Sequence, residues 1–223
     1  DFAPGAGRQS ISRLAPDGEI LEAAWVEGLS NPTGMAIRGG TLLVIERKAL
    51  VEIDIDSAEI RARHPLIAAG FLNDIAVHGD DVYVTDSRSG VIYRFSGGEF
   101  EAWLPAGRIG QPNGLHVSGD RLFIGSNGDG TVRAVDLPSG SMTTFASLGP
   151  VIIDGIESDG TGGLLVSHWE GKLYRISPDG DVVRILDTTS PGINIANFGY
   201  DEKRNRVIIP TFSSNSVVSY SLP

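Results

Sequence analysis

Four positions in this chain carry an amide or a carboxylate at almost constant intervals: Asn73, Asn113, Asp154 and Asn197, spaced by 40, 41 and 43 residues. Each takes the second place of a short phrase: Leu72-Asn73-Asp74-Ile75, Pro112-Asn113-Gly114-Leu115, Ile153-Asp154-Gly155-Ile156 and Ala196-Asn197-Phe198-Gly199. An earlier phrase, Pro32-Thr33-Gly34-Met35, precedes the first by 40 residues. Carboxylates and amide carbonyls are the oxygen donors that a hard divalent cation takes, Ca2+ above all. A histidine among them widens the choice to Zn2+ or Mn2+. Such donors make one site only if the fold gathers equivalent positions of successive repeats, so the next question is which elements carry them.

Each phrase opens an apolar, β-prone run, followed by a tight turn and further runs. In the fourth repeat the runs are 154–158, 164–168, 172–176 and 181–186, with Ser177-Pro178-Asp179-Gly180 turning between the last two. Pro presets φ and Gly supplies the left-handed residue, which makes that turn a hairpin signal. A period near 40 with four strands per unit is the mark of a β-propeller, whose inner strands converge on an axial funnel. Ahead of the first phrase, residues 10–14 and 19–26 read as only the outer two strands of another blade. The last repeat offers three strands, 196–200, 207–210 and 216–222. The expectation is an all-β chain, one propeller domain over 1–223, six-bladed with its first blade incomplete. A five-bladed ring closed by the N-terminal strand is the competing reading.

In an antiparallel hairpin the numbers of facing residues add to a constant set by the turn centre. That rule places Asp154 opposite His168, Asn73 opposite Asp86, Thr33 opposite Glu46, and Asn113 opposite Ser126 or Asn127. One face of the ring then holds a mixed set of acids and amides, with His168 and Asn197 among them, fit for a cation and its waters. The plainer reading is that Asn and Asp ahead of a strand satisfy turn backbone. By the same token a lone histidine is more often packing than a ligand; His116 reads as a buried structural residue of a first strand, and His64 and His78 as loop residues. Trp169 either walls a pocket or packs between blades.

Composition narrows the function classes. The chain has 223 residues, with 29 glycines and 12 prolines for many turns. Its 18 basic and 28 acidic side chains leave a net charge of −10, with no basic cluster, which speaks against nucleic acid or an anionic membrane as partner. Cysteine is absent, so disulfides and thiolate metal sites are excluded, while the compartment stays open. The opening Asp1, without Met or a signal-like run, suggests a processed or trimmed N-terminus. No Gly-x-Ser-x-Gly elbow, phosphate loop or EF-hand loop is present, and Gly5-Ala6-Gly7 does not complete a dinucleotide fingerprint.

The phrases Leu72-Asn73-Asp74, Pro112-Asn113-Gly114-Leu115 and Ile153-Asp154-Gly155-Ile156 resemble, in order and spacing, those of the senescence marker protein / gluconolactonase / luciferin-regenerating enzyme family. The resemblance implies a six-bladed propeller with a single divalent ion (Ca2+, Zn2+ or Mn2+) in the funnel and lactonase activity on a small lactone or ester. By position it implies Asn113 and Asp154 as metal ligands, Asp154 also as general base, and Asn73 as a contact to substrate or a metal-bound water. Asp86, His168 and Asn197 are the further candidates for substrate contact. The family's remaining ligand is a Glu on the inner strand of the first blade, a strand this sequence lacks. A propeller that binds a small ligand or a protein without catalysis is therefore the alternative.

Overall fold

The computed structural model describes residues 9–223, so Gly5-Ala6-Gly7 and Asp1 lie outside the described residues. The regular elements of the described residues are strands, joined by turns and loops, and one 3-10 turn at Glu202–Arg204. Strands β1 (Gln9–Leu14) and β2 (Ile20–Leu29) form a two-stranded sheet. Blade 1 is β3 (Met35–Arg38), β4 (Thr41–Glu46), β5 (Ala49–Asp54) and β6 (Ile60–Pro65). Blade 2 is β7 (Leu72–His78), β8 (Asp81–Asp86), β9 (Val91–Ser96) and β10 (Glu99–Leu104). Blade 3 is β11 (Pro112–Ser118), β12 (Arg121–Ser126), β13 (Thr131–Asp136) and β14 (Met142–Ser147). Blade 4 is β15 (Ile153–Ser158), β16 (Leu164–His168), β17 (Lys172–Ile176) and β18 (Val182–Asp187). Blade 5 is β19 (Gly199–Asp201), β20 (Arg206–Thr211) and β21 (Ser216–Ser221).

These are the five blades of a β-propeller, four of them four-stranded and the last three-stranded. The count is that of the competing reading; the six-bladed expectation is not met, because the N-terminal hairpin stands as a separate pair of strands. Every strand pairs antiparallel with its neighbour in sequence. His64 and His78 lie in β6 and β7 rather than in loops; His64 is held there by Glu52 at 3.1 Å and by the Phe95 ring at 4.6 Å.

Blades pack face to face through one repeated register. Ile75 of blade 2 packs on Leu43 and Ile45 of blade 1, Leu115 on Ala76 and Ile92, and Ile156 on Phe123 and Val132. These three keep 4%, 4% and 3% of their surface, each burial contributing about 2 kcal/mol. Met35, at the same register of blade 1, is 56% exposed. The N-terminal hairpin covers β4 and β5 of blade 1, with Val26 and Leu29 clustered with Leu42 and Val51, and leaves Met35 of β3 exposed. At the other end Ile208 is only half-buried, whereas its counterparts Leu43, Tyr83, Phe123 and Leu165 are buried. A cavity of about 830 Å3 lies between the hairpin and blade 5, lined by Leu14, Ile20, Ile208 and Val217 among others. The ring is thus open at the hairpin.

The inner strands carry a β-bulge at one place in three consecutive blades. The ladder shifts between Leu72 and Ile75, between Pro112 and Leu115, and between Ile153 and Ile156. The turn-centre rule holds up to the bulge, as in Ile75 with Val84 and Ile156 with Val166. Beyond it the partner changes by one: Asp86 faces Leu72, Ser126 faces Pro112 and His168 faces Ile153. The expected pairs Asn73–Asp86 and Asp154–His168 are corrected accordingly. A bulge sets two residues against one, re-aiming the side chains it contains.

Candidate functional site

The bulged residues are Asn73-Asp74, Asn113-Gly114 and Asp154-Gly155, and each bulge takes an amide off the ladder. In blades 2 and 4 a buried hydroxyl from the neighbouring strand collects it; blade 3 has Gly125 in that place. Asp74 N–H donates to Thr85 Oγ1 at 3.0 Å, and Gly155 N–H to Ser167 Oγ at 2.7 Å. Both hydroxyls donate onward across the blade boundary, Thr85 to the Asn113 carbonyl at 2.9 Å and Ser167 to the Ala196 carbonyl at 2.8 Å. Gly34 N–H donates to the Asn73 carbonyl at 2.8 Å. The inner strands are therefore tied to one another at the level of the repeated phrase. Gly114 is required there, because a Cβ at this position would overlap the Asp154 carbonyl oxygen.

Asn113 is 4% exposed, and its Oδ1 is buried with no hydrogen-bond partner. An orphaned buried amide oxygen costs about 1–3 kcal/mol, which is a reason to look for what it serves. Asp154, on the next inner strand, is pushed up to about 7, first by burial and then by the charge of Asp74. Asp74 itself is pushed up to about 6 by burial, against the pull of the Leu115 and Ile75 amides and the Asn197 side chain. Glu157, one turn of the pleat further along β15, is also raised to about 7 by burial and by Asp74. Its side chain keeps 41% of its surface, which limits how far desolvation can act on it. His116 Nδ1 is 3.8 Å from Glu157 Oε2, and burial holds His116 below the ordinary histidine range. Among the described residues no Lys or Arg forms an ion pair with Asp74, Asp154 or Glu157.

The other expected site residues divide. Asn197 reaches the same place, its Nδ2 donating to Asp74 Oδ1 at 3.1 Å. Asn73 is partly buried beside it, with Nδ2 donating to Ser87 Oγ at 3.0 Å. Asp86 is fully buried and engaged elsewhere, accepting the amides of Gly70 at 2.7 Å and Phe71 at 2.8 Å as well as those of Arg88 and Ser89. Burial opposes its ionisation, but those amides outweigh it and hold the carboxyl below its usual range. His168 is also buried, with Nδ1 accepting Glu170 N–H at 3.0 Å. Glu46, at the same strand-end register, accepts Ser30 N–H at 2.7 Å. Asp86 and Glu46 hold the loop that precedes their blade, and His168 the turn that follows β16. Trp169 meets the Phe212 ring edge-on at 4.8 Å, so it packs between blades 4 and 5.

Asp74 was not among the expected site residues, yet it is the acid that links the others. The signal for it was an acid in a column that otherwise reads Gly34, Gly114, Gly155 and Phe198.

Asn113 Oδ1 and the Asp154 carboxylate are oxygen donors on adjacent inner strands, one unpartnered and the other without a counter-charge, a set suited to Ca2+ with waters completing the shell. Among the described residues no group of three or more His, Cys, Asp or Glu is placed to hold a metal ion, so two side chains carry this set.

No protein-family model matches the chain, and no curated protein matches it. Among solved structures it is similar to a gluconolactonase from Xanthomonas campestris, at 21% identity and a TM-score of 0.76, covering 96% of this chain and 79% of that one. It is similar to a catalytically inactive virginiamycin B lyase from Staphylococcus aureus with quinupristin, at 17% identity and a TM-score of 0.71, covering 95% and 73%. A nidogen/laminin complex contains a chain matched at 13% identity and a TM-score of 0.78, covering 95% and 84%. At these identities the likeness establishes the propeller fold that they share.

Proposed function

We propose that the chain is a divalent-cation-dependent hydrolase of the lactonase type, acting on a small lactone or ester at the axial mouth of the propeller. The observation that carries this reading is the pairing of an orphaned buried Asn113 Oδ1 with an uncompensated Asp154 carboxylate on the adjacent strand. The gluconolactonase likeness supports a small-molecule substrate of this class. Asn113 and Asp154 would hold the cation, which when bound supplies Lewis-acid polarisation of a carbonyl oxygen. Asp154, held as a carboxylate by the cation it would bind, is suited to take a proton from an attacking water. Asn73, whose Nδ2 is held by Ser87, and Asn197, whose Nδ2 is held by Asp74, would contact substrate. No covalent nucleophile is needed, since water attacks directly.

The test is calorimetric titration of metal-stripped protein with Ca2+, Zn2+ and Mn2+, followed by hydrolysis assays on glucono-δ-lactone. A single site lost in Asp154→Ala, with turnover that follows it, supports the reading. Absence of binding in the wild-type protein refutes it. A second reading, a propeller that binds a partner without catalysis, is favoured by one observation: among the described residues no group of three or more His, Cys, Asp or Glu is placed to hold an ion. The nidogen/laminin likeness is in keeping with it.

A further inference from the structure

Asp74 is 6% exposed and holds two other blades with one carboxylate. Its Oδ2 accepts Leu115 N–H of blade 3 at 2.8 Å. Its main-chain amide reaches the same strand through Thr85, whose hydroxyl donates to the Asn113 carbonyl at 2.9 Å. One residue of blade 2 therefore grips Asn113-Gly114 from both sides. Its Oδ1 accepts Asn197 Nδ2 at 3.1 Å, from a segment 123 residues further along the chain. The space for this carboxylate is left by Gly34 of blade 1, where a Cβ would stand 2.5 Å from Asp74 Oδ1. None of the counterparts, Gly34, Gly114, Gly155 and Phe198, offers an acceptor side chain, so the device occurs once in the ring.

We propose that Asp74 is the positioning residue of the axial site: it fixes the cation donor Asn113 through Leu115 and Thr85 and ties Asn197 to the same place, setting where Asn113 stands on its strand beside Asp154. It builds on the cation-dependent reading and assigns Asp74 no contact with substrate. A carboxylate suits the task because both its oxygens accept. Asparagine in its place keeps the shape but offers one acceptor and turns an N–H2 toward a second donor. Partners that orient ligands in this way are worth about 10–100-fold in metal affinity.

The experiment uses the full chain and two variants, Asp74→Asn and Asn197→Ala, with Ca2+ as the titrant and amide hydrogen exchange followed by NMR. In Asp74→Asn the Leu115 amide and the Asn197 side-chain amide lose protection, and Ca2+ affinity falls about tenfold or more while the melting temperature stays within about 4 °C. In Asn197→Ala the Leu115 amide keeps its protection and Ca2+ affinity falls by a smaller factor. If Asp74→Asn does not fold, Asn197→Ala carries the affinity test alone. Unchanged Ca2+ affinity in every variant that folds overturns the proposal, as does a Leu115 amide that exchanges as slowly in Asp74→Asn as in wild type. If the wild-type protein binds no divalent ion, the hydrolase reading fails, and the exchange of Leu115 and Asn197 still decides whether Asp74 positions them.

Discussion

Replacing Asp154 by asparagine should make the metal-free protein more stable at alkaline pH while abolishing its turnover. In the folded chain burial, and after it the charge of Asp74, push the Asp154 carboxyl up to about 7 from an ordinary value of 3.8. The unfolded chain therefore releases this proton near pH 4 and the folded chain keeps it to about pH 7. Between those values the folded state binds more protons, so stability falls as pH rises, and the cost is complete above about pH 8. A difference of about 3 units corresponds to about 4 kcal/mol; coupling to Asp74 and residual water at a half-buried group reduce this to about 2–4 kcal/mol. Burial lowers His116 and His168, and these lose stability in the opposite direction, as pH falls below about 6.5. They are common to both proteins and cancel in the difference. The assay is urea unfolding in EDTA at four pH values from about 5 to about 8, comparing wild type with Asp154→Asn. The variant's advantage should grow by about 1–2.5 kcal/mol across that range, the first part of the cost having accrued below pH 5. A difference that stays flat, or a variant less stable at the alkaline end, refutes the argument. Ca2+ at 100 times its Kd should narrow the gap, since it adds about 2.7 kcal/mol to wild type alone.

Three further outcomes follow from the packing. Met35→Lys should change stability by less than about 0.5 kcal/mol, whereas Leu115→Lys at the same register should cost about 4 kcal/mol or more, read from urea midpoints. Thr85→Val should cost about 2 kcal/mol, because it strands the Asp74 amide and the Asn113 carbonyl, and Ca2+ titration should show weaker binding. Gly114→Ala should unfold the protein or remove the site, since the new methyl overlaps a carbonyl of blade 4, while Gly40→Ala, with open space around it, should melt within a few degrees of wild type.

Much of the fold was legible because its signals are local. In blade 4, strands expected at 164–168 and 172–176 coincide with β16 and β17, and the turns between strands carry the Gly and Asp residues that marked them. Pairing arithmetic was right as far as the turn dictates and wrong by one residue beyond the bulge, because a bulge depends on packing against the next blade and has no hairpin signature. The same offset explains why Asp86 and His168 were drawn toward the funnel, although their polar atoms are engaged by loop amides. Asn113 and Asp154 were placed on adjacent inner strands by the repeat alone. Asp74 escaped because the repeat directs attention to positions that match, and its importance lies in the mismatch with its column of glycines. The number of blades could not be read from strand patterns, since a two-stranded hairpin looks the same whether or not inner strands accompany it.

The pairing of every strand with its sequence neighbour has a kinetic consequence. Each blade can close its own ladders within about 40 residues of chain, so secondary structure and blade-to-blade packing can accrete locally and early. The link between Asp74 and Asn197 spans 123 residues and must wait until the intervening blades have docked. Refolding followed by far-UV signal and refolding followed by return of ion binding should therefore separate in time, with the axial site the last part of the molecule to acquire its native form.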